Sequence, residues 1–222
     1  MGLVVRDGLR PMEFGRLLCL NLLRRPYMRY GEEGLHYAQA CAAMGALRFA
    51  SLAGDGELLA RLLARYEPLR QEGSGLVSRR AHMDLRVVGI VPLTIFRLTG
   101  DRRHLALGLS LADAQWEEPR PDGLTRETRW WIDDVYMVGA LQMEVYRATG
   151  ERKYADRAAR QVAAYLAVLQ GKRSLLSAIT APRPVSSGEG GTGGSPPRWQ
   201  RCSRAFPKTI PLAARSQAVT WR

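Results

Sequence analysis

The sequence predicts an all-α protein assembled from helical hairpins, and three observations carry that reading. Residues 12–170 are rich in Leu, Ala, Arg, Glu and Met, side chains that lose little rotamer freedom in a helix. Apolar positions in that stretch recur at spacings of three and four, the period of one helix face. A corner made of a glycine followed by an acid recurs along the chain.

In chain order, a leading helix is expected near residues 12–24. A helix over 33–53, opened by His36, Tyr37 and Gln39, meets one over 55–69 at the corner in RFASLAGDGELLARLLARY, which begins at Arg48. A helix over 84–99 follows His82 and meets one over 101–117 within FRLTGDRRHLALGLSLADAQW, from Phe96. A helix over 132–149 meets one over 151–169 within YRATGERKYADRAARQVAAYL, from Tyr146. The last two strings share an aromatic, an Arg, a Thr-Gly and an acid at an offset of 50. Each Gly suits a left-handed helix cap, and the acid behind it favours the next helix by facing its N-terminal dipole. Three hairpins plus a leading helix follow. A period of 46 to 50 residues built from helix pairs means a solenoid or an α/α toroid, because no hairpin buries its own apolar face. An irregular bundle with a chance echo is the competing architecture.

The length of 222 residues suits one mid-sized domain, and 46 % hydrophobic with 24 % charged residues is a globular balance. The net charge of +12 is mostly a property of residues 171–222, which hold nine Lys/Arg and one acid; subtracting these leaves 24 basic against 20 acidic groups in residues 1–170. In the last 52 residues Gly, Pro and Ser supply 19, so this basic tail is expected to be disordered. Weak nucleic-acid binding through the tail is a third-ranked reading, and no nucleic-acid partner is expected. Cys19, Cys41 and Cys202 form neither a disulfide framework nor a zinc spacing, which fits a reducing compartment. No run approaches the roughly 18 apolar residues of a membrane span. The N-terminus is charged where a signal peptide is apolar, and Arg6 stands where myristoylation needs Ser or Thr. A cytoplasmic protein without membrane contact is expected.

Three stretches hold candidate chemistry. TRETRWWIDDVYM, Thr125 to Met137, sets two tryptophans beside Asp133 and Asp134 at the mouth of a helix. Burial against a ring raises a carboxyl pKa while the helix dipole lowers it, so the site suits a general acid or base; capping of the helix by either Asp is the plainer reading. His82 and Asp84 precede the helix of the previous repeat. Asp84 and Asp133, 49 residues apart, are expected to meet at one rim of the toroid, although each could be only a cap. In GEEGLHYAQACAAMGALRF, Tyr37 opens the first repeat helix and could equally be a half-buried core ring.

At these residues, HMDLRVVGIVPLTIFRLTGD and WWIDDVYMVGALQMEVYRATGERKY, the chain resembles the unsaturated rhamnogalacturonyl and unsaturated glucuronyl hydrolases, glycoside hydrolase families 105 and 88. The resemblance implies a partial (α/α)6 toroid of about seven helices, where the family closes a ring of about twelve, and no metal or other cofactor. It implies removal of a 4,5-unsaturated uronic acid from an oligosaccharide end by hydration of the vinyl ether, followed by collapse of the hemiketal, unlike displacement at the anomeric carbon. Asp133, in a W-x-D helix start, takes the place of the family's proton donor, with Trp131 as aromatic neighbour and Asp134 ranked behind it. Asp84, after His82, takes the place of the second active-site Asp. Tyr37 keeps one position of a sugar-contacting W-x-Y-x-x-G segment in which Leu35 and Ala40 replace Trp and Gly. Arg126 or Arg129 is expected to meet the uronate carboxylate.

The resemblance covers roughly residues 20–170 and then stops, so residues 1–170 are read as an incomplete barrel domain of doubtful activity. The family continues into a helix-opening WGRGNGW segment. From Ser187, codons built from the last base of one codon and the first two of the next are compatible with WGRGNGWVAAAMAEVL, where the chain reads SGEGGTGGSPPRWQRCS. The expectation is a one-base slip near residue 171 that makes the tail an out-of-frame translation. A non-catalytic helical-repeat protein binding a glycan or a protein is the alternative function. Neither the oligomeric state nor the particular uronide follows from the sequence.

Overall fold

The computed structural model describes residues 10–169; the expected basic tail and its reading frame lie outside them. Eight α-helices occur among the described residues: α1 Pro11–Arg24, α2 Tyr37–Leu52, α3 Gly56–Tyr66, α4 Met83–Arg86, α5 Ile90–Thr99, α6 Arg102–Ala114, α7 Asp134–Thr149 and α8 Arg152–Leu169. A 3-10 turn over Val87–Gly89 joins α4 to α5, so the two form one rod and seven helical rods result, as expected. No strand occurs among the described residues, only an isolated bridge between Arg29 and Leu35.

The corners form as local chemistry dictates. Gly100 and Gly150 end α5 and α7 in left-handed conformation, with φ of 77° and 76°, where a Cβ would be strained. The flanking threonines repeat the same bonds. The Thr99 and Thr149 hydroxyls donate to the Ile95 and Val145 carbonyls, and the Asp101 and Glu151 amides donate back to those hydroxyls. Asp55 and Asp101 then cap α3 and α6, accepting from the Leu58 and Arg103 amides at 3.0 Å each.

The helices pair α2 with α3, α5 with α6 and α7 with α8, while α2, α5 and α7 lie side by side and α1 packs on the first hairpin. An arc of three hairpins with a leading helix results. Its core runs through Ala40, Ala43 and Leu47 of α2, Ile90 and Leu93 of α5, and Val138, Leu141 and Val145 of α7, all buried. Small residues set the closest approaches: a Cβ on Gly108 of α6 would stand 2.3 Å from Leu93 Cγ.

The element ends differ from the sequence expectation where side chains outside the periodic pattern intervene. Residues 33–36 are not helical, because the chain doubles back there with Tyr30 N–H donating to Gly34 O at 2.9 Å. The helix α3 tightens into a 3-10 turn over Glu67–Arg70, around Pro68. The helix α7 starts at Asp134 rather than residue 132.

Candidate active site

The rim at the starts of α4 and α7 is organised by one arginine. Arg129, in the loop before α7, donates from Nη2 and Nη1 to Asp84 Oδ1 and Oδ2 at 2.7 and 3.0 Å, a two-pronged contact. The same guanidinium donates from Nε and Nη2 to Asp134 Oδ1 at 2.9 and 2.5 Å. Burial alone would lower the Arg129 pKa, but the bonds to Asp84 and Asp134 outweigh it and hold the group charged well above its ordinary value. His82 Nε2 lies 3.3 Å from Arg129 Nη1, on the same side as Asp84.

Asp134 is fully buried and satisfied on both oxygens. Its Oδ2 accepts from the Arg129 amide at 3.1 Å, the Trp131 amide at 3.2 Å and the Tyr165 hydroxyl at 2.6 Å. Burial first, and then the Asp134 carboxylate, push the Tyr165 phenol well above its usual value, so it stays a donor. The loop pays for this convergence at Trp130, whose φ of 66° is the one positive value at a non-glycine among the described residues. Trp130 is held there by the hydrogen bond its backbone N–H donates to Tyr165 Oη at 3.2 Å and by ring packing on Tyr165 at 4.8 Å.

Neither aspartate caps α7 through its side chain. Asp133 holds the N-cap position, yet its carboxylate bonds no helix amide, and Asp134 binds the loop amides ahead of the helix instead. Asp133 is half-buried and, among the described residues, its carboxylate accepts no hydrogen bond. Trp131 beside it is 48 % exposed, with the Arg129 guanidinium 4.7 Å from its ring centre. A carboxylate without a hydrogen-bond partner among the described residues, two positions from a half-exposed indole, is a combination a sugar ring can occupy.

Tyr30 is the residue that sequence reasoning missed. Burial first, then the charge of Asp84, the neighbouring Tyr37 and the charge of Asp133, raise its phenol far above the ordinary value against the pull of Arg129. The Tyr30 ring stacks on His36 at 4.2 Å, and His36 lies 4.5 Å from Tyr37. With Glu33, Arg80, His82 and Leu85 it lines a cleft of about 170 Å³. Arg80 donates to both Glu33 oxygens at 2.8 Å across that cleft. The only trace of Tyr30 in the sequence is an aromatic ring set just before a glycine turn.

The structure thus brings together Asp84, Asp133, Asp134, His82, Trp131, Tyr37 and Arg129. Arg126 is directed elsewhere, pairing with Glu118 on the exposed side of the loop. Beneath the rim, the buried Arg86–Glu127 pair at 3.4 Å ties α4 to the same loop. Among the described residues no group of three His, Cys, Asp or Glu side chains is placed to hold a metal ion, and no helix is long and apolar enough to cross a membrane.

Neither a curated protein nor a solved structure matches the chain. A family model does: the one described as Glycosyl Hydrolase Family 88 matches residues 25–177, more than half of the 222 and a stretch that includes the three hairpins and both acid-bearing helix starts. By that match this chain belongs to Glycosyl Hydrolase Family 88.

Proposed function

We propose that the rim between α4 and α7 binds the 4,5-unsaturated uronyl end of an oligosaccharide, and that Asp133 protonates its vinyl ether. The proton goes from the Asp133 carboxyl to C4 of the C4=C5 bond, and the ring oxygen shares the positive charge left at C5. A water molecule adds at C5 and returns a proton to the Asp133 carboxylate, restoring the acid. The hemiketal then opens and releases the neighbouring sugar. Asp84 and Asp134, engaged by Arg129, keep the two helix starts in register. Trp131 offers its indole to the sugar ring, and Tyr30 lines the cleft, with Tyr37 packed on the same His36 ring as Tyr30.

The observation that supports this assignment is the division of labour among the three aspartates. Asp84 and Asp134 share one guanidinium, whereas the carboxylate of Asp133, at the N-cap of the same helix start, accepts no hydrogen bond among the described residues. Because Arg126 is taken up by Glu118 and the nitrogens of Arg129 are engaged by Asp84, Asp134 and His82, the uronate carboxylate is assigned to His82 at the wall of the cleft.

The test follows the ultraviolet absorbance of an unsaturated uronyl disaccharide incubated with the chain. Absorbance is expected to fall, and Asp133→Asn to slow that fall by about 10²–10⁴-fold with binding retained. A full rate in Asp133→Asn removes the assignment. Binding of the disaccharide with no fall in absorbance, in the unmutated chain, favours a glycan-binding protein instead.

A further inference from the structure

We infer that three arginines at the opposite end of the inner helices, Arg48, Arg97 and Arg147, form with Glu144 a binding site for a dianionic oxyanion of the phosphate type. This site is independent of the reading proposed for the acidic rim.

The three guanidiniums come from the three inner helices, α2, α5 and α7, one each, near the helix C-termini. The repeat places them there, since the steps from 48 to 97 and from 97 to 147 are 49 and 50 residues. They converge on a single carboxylate. Glu144 is 1 % exposed and accepts from Arg48 at 2.6 Å and Arg147 at 2.5 Å on Oε1, and from Arg97 at 3.2 Å on Oε2. Burial would raise the Glu144 pKa, but Arg48 and Arg147 outweigh it and hold the carboxyl below its ordinary value. Three positive charges against one negative leave a surplus of +2 in the cluster.

The contrast with the acidic rim shows that a clamp does not require this surplus. At the N-terminal ends of the same rods, one arginine satisfies two carboxylates; here three arginines serve one. Each guanidinium carries five N–H donors and gives one nitrogen to Glu144. Among the described residues, none of the three bonds any other side-chain or backbone acceptor. Their side chains are 39 %, 40 % and 49 % exposed, so the remaining donors face solvent. The C-terminal dipoles of α2, α5 and α7, about half a negative charge each, offset part of that surplus but take up none of the unspent N–H donors. An oxyanion of the phosphate type meets the charge that remains and the unspent donors, and its tetrahedral edge matches the planar fork of arginine. Glu144 lies ten residues beyond Asp134 on α7, about 15 Å along the helix, which separates the two sites.

The oxyanion is either free or carried as a phosphomonoester, and calorimetric titration of the full chain with inorganic phosphate and with glucose 6-phosphate, at constant ionic strength, distinguishes them. Saturable binding of at least one is expected, tighter for the ester if the ligand is a sugar phosphate. Arg97→Gln is expected to weaken it about tenfold or more, the loss of one charge-assisted bond. Arg152→Gln, which removes an exposed arginine outside the cluster, leaves it unchanged. Glu144→Gln, which frees the guanidiniums from their internal competitor, tightens binding severalfold when its circular dichroism matches the parent; Arg147→Gln replaces Arg97→Gln should the latter unfold. Absence of saturable binding by both probes, or equal binding in Arg97→Gln and Arg147→Gln, overturns the proposal and leaves the cluster a structural tie.

Discussion

Asp84 and Asp134, at the starts of α4 and α7, accept from one guanidinium, Arg129, on Oδ1 atoms 2.7 and 2.5 Å from its Nη2. They are 50 residues apart, the same offset that superposes the corners at Gly100 and Gly150. The repeat thus sets two like charges face to face, and the loop between the hairpins supplies the cation that makes the approach tolerable. Removing that cation is far costlier than never having had the pair, because both carboxylates stay behind with little solvent.

Arg129→Met is accordingly expected to lower stability by about 3–5 kcal/mol, read as a shift of the urea midpoint. The Arg129→Met, Asp84→Asn, Asp134→Asn triple variant recovers part of that loss, since neutral amides need no cation. A single variant as stable as the parent contradicts the clamp.

Asp133 and Asp134 are adjacent but separable by their asparagine variants. Asp134→Asn puts an NH2 group against the Tyr165 hydroxyl or the amides that now donate to it, and should cost about 1–3 kcal/mol of stability. Asp133→Asn, at a half-buried carboxylate that accepts no bond among the described residues, is expected within about 0.5 kcal/mol of the parent. Thermal or urea unfolding of both variants reads the difference; equal losses would mean that Asp133 is as structural as its neighbour.

The hairpins were legible because their signals are local: a glycine that needs positive φ, a threonine before it and an acid after it act within five residues. The acid pair was legible only in part. An offset of 49 links Asp84 to Asp133, whereas the fold obeys the offset of 50 and joins Asp84 to Asp134. What decides between them is Arg129, and it lies in a loop without periodicity, steered by the positive φ of Trp130 and by Tyr165 from α8. No spacing rule reaches across those 36 residues. Arg126 and Arg129 looked equivalent for the same reason, and only the loop's path sends one to Glu118 and the other to the rim. The Arg97 and Arg147 equivalence was visible in the FRLTG and YRATG strings, but their convergence on Glu144 needs the packing of α2, α5 and α7.

Residues 171–222 carry their own prediction, because their composition departs from everything before them. The coding DNA read from the third base of the Ser187 codon is expected to spell WGRGNGW followed by an amphipathic helix pattern. Only third-position bases are free to satisfy that string, so the nucleotide sequence decides the matter by inspection. Codons whose wobble bases give another string eliminate the slip.

The pH dependence of stability isolates Glu144. Its carboxyl titrates below its unfolded value of 4.5, so the stabilisation from its arginines is complete above that value and is lost as pH falls through the lower folded value. Glu144→Gln lacks this proton-linked part. Above pH 4.5 the variant is therefore less stable than the parent, and the gap narrows on acidification because the parent's own carboxyl becomes neutral. Urea unfolding of both proteins between pH 7 and pH 3 measures the gap directly. The other lowered acids, Glu13, Asp55 and Asp101, titrate in both proteins and cancel in the difference. A gap that stays constant through that range means that the three arginines do not favour the charged form of Glu144.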